Sequence, residues 1–290
     1  MKSFALPKDP NCCYNSKVKK IFKRIKKLPT KYKIPAYTAI AIGVLYFGSF
    51  GIYFKYYGTL PDALSNLLTE IPTASKDERI LIFSPHPDDE TIGAAGYTKK
   101  AIENGAVVKI VCVTDGNKHN LKELRYQEIQ KATKVLGVSE KNLIFYDFPD
   151  TKLKDNAQRF KELAKKDIYD FKPTIIISTI TADINKDHKE TGEIIDDLIR
   201  ENKDLKITQL GFLVHYPKWP RPEGLYPHRN LLPPVKLMRP EYNWVKFPLD
   251  EATIDTKEEA VLQYKSQLKL ILPRILLQSS VKKNELFVVK

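Results

Sequence analysis

Cysteine is scarce in this 290-residue chain. Cys12 and Cys13 are adjacent near the start, and Cys112 lies alone in an apolar run. No two cysteines stand at metal-ligand spacing, so the pattern excludes a thiolate zinc site and gives no basis for a disulfide framework. Cys112 reads as a small core residue, and Cys12 and Cys13 as unmodified cytosolic thiols. A glycine-rich phosphate loop is also lacking. The turn after the first predicted strand is Pro-rich and acidic, Ser84-Pro85-His86-Pro87-Asp88-Asp89-Glu90, and its carboxylates would repel a pyrophosphate, which argues against dinucleotide binding. There is no internal repeat and no low-complexity tract.

Acidic residues are nearly missing from the front of the chain. The net charge is +13, and residues 1–33 hold eleven of the 48 Lys and Arg but one acid, Asp9. The remaining residues carry 37 basic and 34 acidic side chains. A basic tail before a balanced domain is a membrane-flank pattern, and it argues against a nucleic-acid partner. Residues 34–54, IPAYTAIAIGVLYFGSFGIYF, contain no charge. As a helix rising about 1.5 Å per residue they would span roughly 31 Å, enough for a bilayer core. The run is too long for a signal-peptide core and lacks a polar face, so a retained single-pass anchor is expected. Lys17, Lys19, Lys20, Lys23, Arg24, Lys26, Lys27, Lys31 and Lys33 precede it, which predicts a cytoplasmic N-terminus and an extracytoplasmic C-terminal domain. Residues 55–78 read as a connector.

From residue 79 onward, short apolar runs alternate with amphipathic segments. Strands are predicted at 79–84, 107–113, 142–146, 174–179 and 207–214, and helices at 91–104, 121–136, 155–170 and 188–201. Continuous apolar strands alternating with helices indicate an α/β domain with a mainly parallel sheet covered on both faces. Ligands of such sheets bind beyond the carboxyl ends of the strands. His86, Asp88 and Asp89, then Asp115, then Asp183 to His188, and finally His215 all follow strand ends.

A mononuclear catalytic zinc takes three protein ligands and keeps one position open. The turn at residues 84–90 supplies an imidazole and two adjacent carboxylates, held by Pro85 and Pro87. Asp88 and Asp89 cannot point the same way, so one suits the metal and the other a water. His188 is the best-placed third ligand. The plainer alternative is that Asp88, Asp89 and Glu90 only favour the following helix N-terminus; that accounts for the acids but not for a histidine between two prolines.

The stretch SPHPDDETIGAAG, followed by VCVTDG, Arg125 and Glu128 in a helix ending LGV, and Tyr264-Lys265-Ser266-Gln267 near the end, resembles the PIG-L/LmbE-like N-acetylglucosaminyl deacetylases over about residues 78–270. The resemblance implies a Rossmann-like three-layer fold with one zinc per chain held by His86, Asp89 and His188, and with Asp88 as general base. The chain departs from the family at 185–188. Many relatives carry His-Pro-Asp-His where this chain has Asn185-Lys186-Asp187-His188, so the imidazole that in them stabilises the oxyanion is replaced by the Asn185 amide. His215 is the natural substitute, with a backbone-bonded strand-end histidine as the equal alternative. Asp187 is expected to orient a ligand or its loop. Asp115 and Arg125 are candidate substrate contacts, or members of a salt bridge. His119 and His228 read as surface residues. In the Pro-rich stretch from Pro217 to Pro240, Trp219 is a candidate platform for a sugar ring, or simply cover for the sheet edge.

These readings lead to a zinc-dependent hydrolase removing acetyl from an N-acetylglucosamine-type glycan or glycolipid at the outer face of a membrane, with lipid contacts through the anchor and tail. A zinc amidase for another N-acyl substrate and a non-catalytic membrane-tethered binding protein are the alternatives. A His-Asp-His set also suits iron or another divalent ion.

Overall fold

The computed structural model describes residues 23–57, 61–117, 120–202, 204–217, 219–220 and 228–290, with side chains 50–57 excepted. Cys12, Cys13, His119 and the first part of the basic tail lie outside the described residues. The chain divides into two compact units, Met1–Gly58 and Thr59–Lys290.

In the first unit, α1 spans Thr30–Tyr57 and contains the expected anchor segment. The expectation of a transmembrane span is corrected: among the described residues no helix is long and apolar enough to cross a membrane. Lys31 and Lys33 occupy the start of α1, Pro35 lies inside it, and Tyr37, Thr38, Tyr46 and Ser49 dilute its apolar face.

The second unit is a mixed sheet with helices on both faces. Its strands are β1 (Thr69–Glu70), β2 (Arg79–Ser84), β3 (Val107–Thr114), β4 (Leu143–Phe148), β5 (Ile175–Thr179), β6 (Thr208–Phe212), β7 (Asn243–Pro248) and β8 (Asn284–Val289), in the order β1-β7-β8-β6-β5-β2-β3-β4. Every neighbouring pair is parallel except the two made by β8, which runs antiparallel to β6 and β7. Its helices are α2 (Asp89–Glu103), α3 (Lys122–Val135), α4 (Ala157–Phe171), α5 (Lys186–Glu201), α6 (Glu251–Val261), α7 (Lys265–Leu268) and α8 (Ile271–Ser279).

Strand side chains alternate between faces. Ile80 and Ile82 of β2 join one core with Ile110, Ile177, Phe212 and the helices α2, α3 and α6. Leu81 and Phe83 join the other with Val111, Ile176, Phe160 of α4 and Ile195 of α5. Both cores are apolar, so the central strands read as apolar runs, as expected of a doubly covered parallel sheet. The order places β2 between β3 and β5, and the loops leaving β2, β5 and β6 open at one end of the sheet. Three parts of the chain depart from expectation, the first being β7, which forms at Asn243–Pro248 where no strand was predicted. β1 draws part of the expected connector into the sheet against β7, and residues 251–289, to which the sequence assigned no element, form three helices and β8.

Candidate active site

The turn after β2 starts the site. Ser84 Oγ lies 2.7 Å from the carbonyl of His86, and the backbone N–H of Glu90 donates to Ser84 Oγ at 3.1 Å, folding residues 84–90 into a closed loop. Asp88 caps α2 with φ 145°, a backbone region that residues with side chains rarely adopt. Such strain persists where its surroundings enforce it. Here Arg125 of α3 donates to Pro87 O at 2.7 Å and to Gly116 O at 3.2 Å, and stands 3.1 Å from Asp88 Oδ2. Glu90 turns away into the interior, where Tyr264 and Thr91 donate to its Oε1. Burial pushes its carboxyl up, against the hydrogen bonds of Thr91 and Tyr264.

Three candidate ligands converge. Asp89 Oδ2 lies 3.2 Å from His86 Nδ1 and 3.0 Å from His188 Nε2, and those two nitrogens are 3.0 Å apart. The donors of a tetrahedral ion bound at about 2.0–2.1 Å would themselves stand about 3.3 Å apart. The three atoms therefore fit a small divalent ion with a modest opening of the triangle. Their outer partners fit as well. His188 Nδ1 faces Asp183 Oδ2 at 3.1 Å and His86 Nε2 faces Asp187 Oδ2 at 3.2 Å, the carboxylate–imidazole pairing that orients metal-binding histidines. A second possible group, His86, Asp150 and Asp187, shares His86. It is the poorer cradle, because Asp187 already accepts the backbone N–H groups of Thr151 and Leu153.

The electrostatics follow from this packing. Burial depresses the His188 pKa, but the carboxylates of Asp89 and Asp183 outweigh it and hold the ring at about 9. His86 is raised too, through Asp150, Asp187 and Asp89 acting against burial. Burial would raise the Asp89 carboxyl, yet the two imidazoles hold it well below the usual carboxylate range. For Asp88 burial dominates: it is pushed up to about 7 despite Arg125, helped by the charge of Asp89.

A cavity of about 210 Å³ opens on the cluster. One side is polar, with His86, Asp88, Asp89, Arg125, Asp150, Thr151, Asn185 and His215. The other is apolar, from Ile92, Leu272, Pro273, Leu276 and Leu277, with Gln267 between. His215 follows β6 with its ring 4.7 Å from that of His188, and burial, aided by the neighbouring His188, lowers its pKa to about 4. It is thus a neutral donor or acceptor facing the cavity at neutral pH. The Asn185 side chain caps α5 by accepting from Asp187 N, and the residue also lines the cavity.

Two expected substrate contacts sit elsewhere. Asp115 does not line the cavity. Its Oδ1 accepts the N–H groups of Asn117 and Asp150, so it braces the loop that carries Asp150. Trp219 is only 9% exposed, packs with Ile180, Leu231 and Trp244, and donates its indole N–H to Leu232 O. Its burial fits the other of the two expected readings, cover for the sheet rather than a sugar platform; Tyr226 of the same stretch lies outside the described residues. The sequence reading did not assign Asp183, Asp150 or the apolar wall. Asp183 had a legible signal, an acid five residues before a candidate ligand histidine. The wall had none, because only the fold brings α8 to the cavity.

Residues 81–199 match the family model described as PIG-L: GlcNAc-PI de-N-acetylase. The probable N-acetyl-alpha-D-glucosaminyl L-malate deacetylase 2 of Bacillus anthracis is 28% identical over 146 residues, covering 44% of this chain and 64% of that protein. The diacetylchitobiose deacetylase of Thermococcus kodakarensis is 29% identical over 124 residues, covering 38% of this chain and 46% of that protein. The chain therefore matches less than two thirds of the length of either relative. Among solved structures, the zinc-inhibited form of a teicoplanin deacetylase aligns with a TM-score of 0.57 at 14% identity, covering 73% of this chain and 97% of that one. The deacetylase of the A40926 pseudoaglycone aligns with a TM-score of 0.55 at 17% identity, covering 74% and 97%. These two establish likeness of fold. Residues 81–199, which carry every candidate ligand from His86 to His188, are similar to the PIG-L: GlcNAc-PI de-N-acetylase family.

Proposed function

We propose that this chain is a zinc-dependent N-deacetylase acting on an N-acetylglucosamine-type saccharide. The carrying observation is the convergence of His86, Asp89 and His188, with ligand atoms all within 4.8 Å of one another, beneath a cavity that Asp88 and His215 also line. A divalent ion held by these three supplies Lewis acidity, easing deprotonation of water and polarising a carbonyl.

The chain's own groups supply the rest. Asp88, with a carboxyl near neutrality, accepts the proton of the attacking water and returns it to the departing amine nitrogen as the amide C–N bond breaks, giving acetate and the free amino sugar. His215, neutral and facing the cavity, is suited to donate an N–H to the developing oxyanion. Arg125 holds Asp88 and the strained turn. Asp150, Thr151 and Asn185 line the polar side, where sugar hydroxyls find partners.

The apolar wall of Ile92, Leu272, Pro273, Leu276 and Leu277 supports a second reading, hydrolysis of a longer N-acyl chain. One assay separates them: amine release by the full-length chain loaded with Zn2+ from N-acetylglucosamine oligomers and from their N-acyl homologues, with Asp88→Ala alongside. Turnover of the acetyl substrate that Asp88→Ala loses while keeping its metal supports the first reading. Preference for the longer acyl group supports the second, and a wild-type chain that binds metal but cleaves neither overturns both. The cationic run from Lys17 to Lys33 supports contact with anionic lipid headgroups, tested by sedimentation of the full-length chain with phosphatidylserine-containing vesicles; no co-sedimentation overturns it.

A further inference from the structure

The helix that presents Asp88 and Asp89 is broken one turn beyond them. Within α2, Ala94 takes φ −147° and ψ 18°, which is not helical. In an unbroken helix the N–H of Gly96 would donate to the carbonyl of Ile92, four residues back. Here that bond is replaced by a side-chain splice. Gly96 N donates instead to Glu285 Oε1 at 2.8 Å, and Tyr97 N donates to Glu285 Oε2 at 2.9 Å. The Ile92 carbonyl accepts from Lys257 Nζ at 2.9 Å, and Lys257 Nζ donates to Glu285 Oε1 at 2.6 Å. Lys257 comes from α6 and Glu285 from β8, and each is 1% exposed. The carboxylate thus caps the N-terminus of the second half of α2, and the ammonium caps the C-terminus of the first half. Each charge matches the partial charge of the helix end it meets.

We infer that the buried Lys257–Glu285 pair is a positioning device for the metal site, holding the break in α2 that aims its first turn, with Asp88 and Asp89, at His86 and His188. The inference rests on the reading of His86, Asp89 and His188 as metal ligands. The sequence around the break favours it. Gly93 and Gly96 pack so closely that a Cβ would collide with the Phe212 ring and with Leu249, so the two halves are seated against fixed surfaces. With the pair gone, nothing competes with the Ile92–Gly96 hydrogen bond, and the ladder can re-form at the expense of the bend. Asp89 is three residues before Ile92 and moves with it.

A buried ion pair is also a stability element, and removing one partner strands the other charge. The decisive variant therefore removes both: Lys257→Met with Glu285→Leu, in the full-length chain. Secondary structure and Tm are measured beside Zn2+ affinity by competition with a chromophoric chelator, and kcat and KM on the best substrate. The expected result is a folded double variant whose Zn2+ affinity falls about 10- to 100-fold, as when an outer partner of a metal ligand is lost, with kcat reduced more than KM is raised. The single variants Lys257→Met and Glu285→Leu serve as checks; each lowers Tm more than the double variant does. A folded double variant with wild-type Zn2+ affinity and kcat overturns the inference while leaving the ligand assignment standing. A wild-type chain that binds no divalent metal overturns the ligand assignment and the inference together. If the double variant does not fold, Glu285→Gln decides in its place: it keeps one acceptor for the two amides, and unchanged Zn2+ affinity there overturns the inference.

Discussion

Asp183 holds His188 by its ring and His215 by its backbone with one oxygen. Asp183 Oδ2 stands 3.1 Å from His188 Nδ1 and accepts the N–H of His215 at 2.9 Å and of Val214 at 3.1 Å. One carboxylate thus ties the loop after β5 to the loop after β6, and directs Nε2 of His188 to the ligand cluster. An amide at this position would keep the shape but lose the charge that favours Nδ1–H. Asp183→Asn is expected to keep its fold and to bind Zn2+ about 10- to 100-fold more weakly. Chelator competition measures this, and an unchanged affinity would remove Asp183 from the site.

Metal binding should release protons. The His188 ring is held at about 9 because Asp89 and Asp183 outweigh burial. Since this folded-state value lies above the ordinary 6.5, the protonated ring contributes stability in full below about 6.5, and that contribution is lost as pH rises through about 9. A metal takes the neutral ring, so Zn2+ affinity should climb with pH up to about 9 and then level. Titration calorimetry at pH 7 in buffers of different ionisation enthalpy should show proton release on binding. Buffer-independent enthalpies would count against His188 as a ligand.

Much of this site was legible before the fold. The histidine between Pro85 and Pro87, the acids after it and His188 all follow predicted strands, and the apolar runs of β2, β3 and β5 are what a doubly covered parallel sheet requires. What was not legible comes from the C-terminal segment. β8 runs against its neighbours, and α8 offers Leu272, Pro273, Leu276 and Leu277 to the cavity from a stretch whose own pattern names no partner. Nothing in the sequence singles out Lys257 and Glu285, because the bond they interrupt lies in a helix some 165 residues away from Lys257. For Trp219 the sequence left a sugar platform and cover for the sheet edge equally open, since a Pro-rich loop has no periodicity to tell them apart, and the fold places it in an apolar cluster.

With Asp88 as the proposed base, Arg125 should set the acid limb of the rate profile. Burial raises the Asp88 carboxyl to about 7, and Arg125 is the largest influence opposing it. Asp88 acts as its carboxylate, so turnover rises with pH through its pKa. Arg125→Met removes the opposing charge, and the limb should move to higher pH, with lower turnover at pH 7 and partial recovery at more alkaline pH. Metal content is measured beside the rates, because Arg125 also holds the turn that carries His86 and Asp89 through Pro87 O. A pH–rate profile of kcat/KM reads the shift; an unmoved acid limb would separate Arg125 from Asp88 in catalysis.

Stability and site chemistry are separable at Asp250. This residue caps α6: its Oδ1 accepts from Thr253 N at 2.9 Å and Thr253 Oγ1 at 2.5 Å, and its Oδ2 pairs with Lys100 at 2.8 Å. The Lys100 and Thr253 bonds hold its carboxyl down at about 2. A depressed carboxyl contributes stability above its ordinary 3.8 that is lost as pH falls through about 2. The ion pair is largely solvent-exposed and adds little; the cap is the stronger element. Asp250→Ala should destabilise the chain by about 1 kcal/mol, lowering Tm by about 2–4 °C for a unit of this size. Zn2+ affinity and kcat should stay at wild-type values, because Asp250 neither lines the cavity nor bonds to the break in α2. Thermal unfolding at pH 7 and at pH 2 checks both parts: the gap between variant and wild type should be open at the first and narrowed at the second. A gap that persists undiminished at pH 2 would assign the effect of the substitution to helix propensity alone.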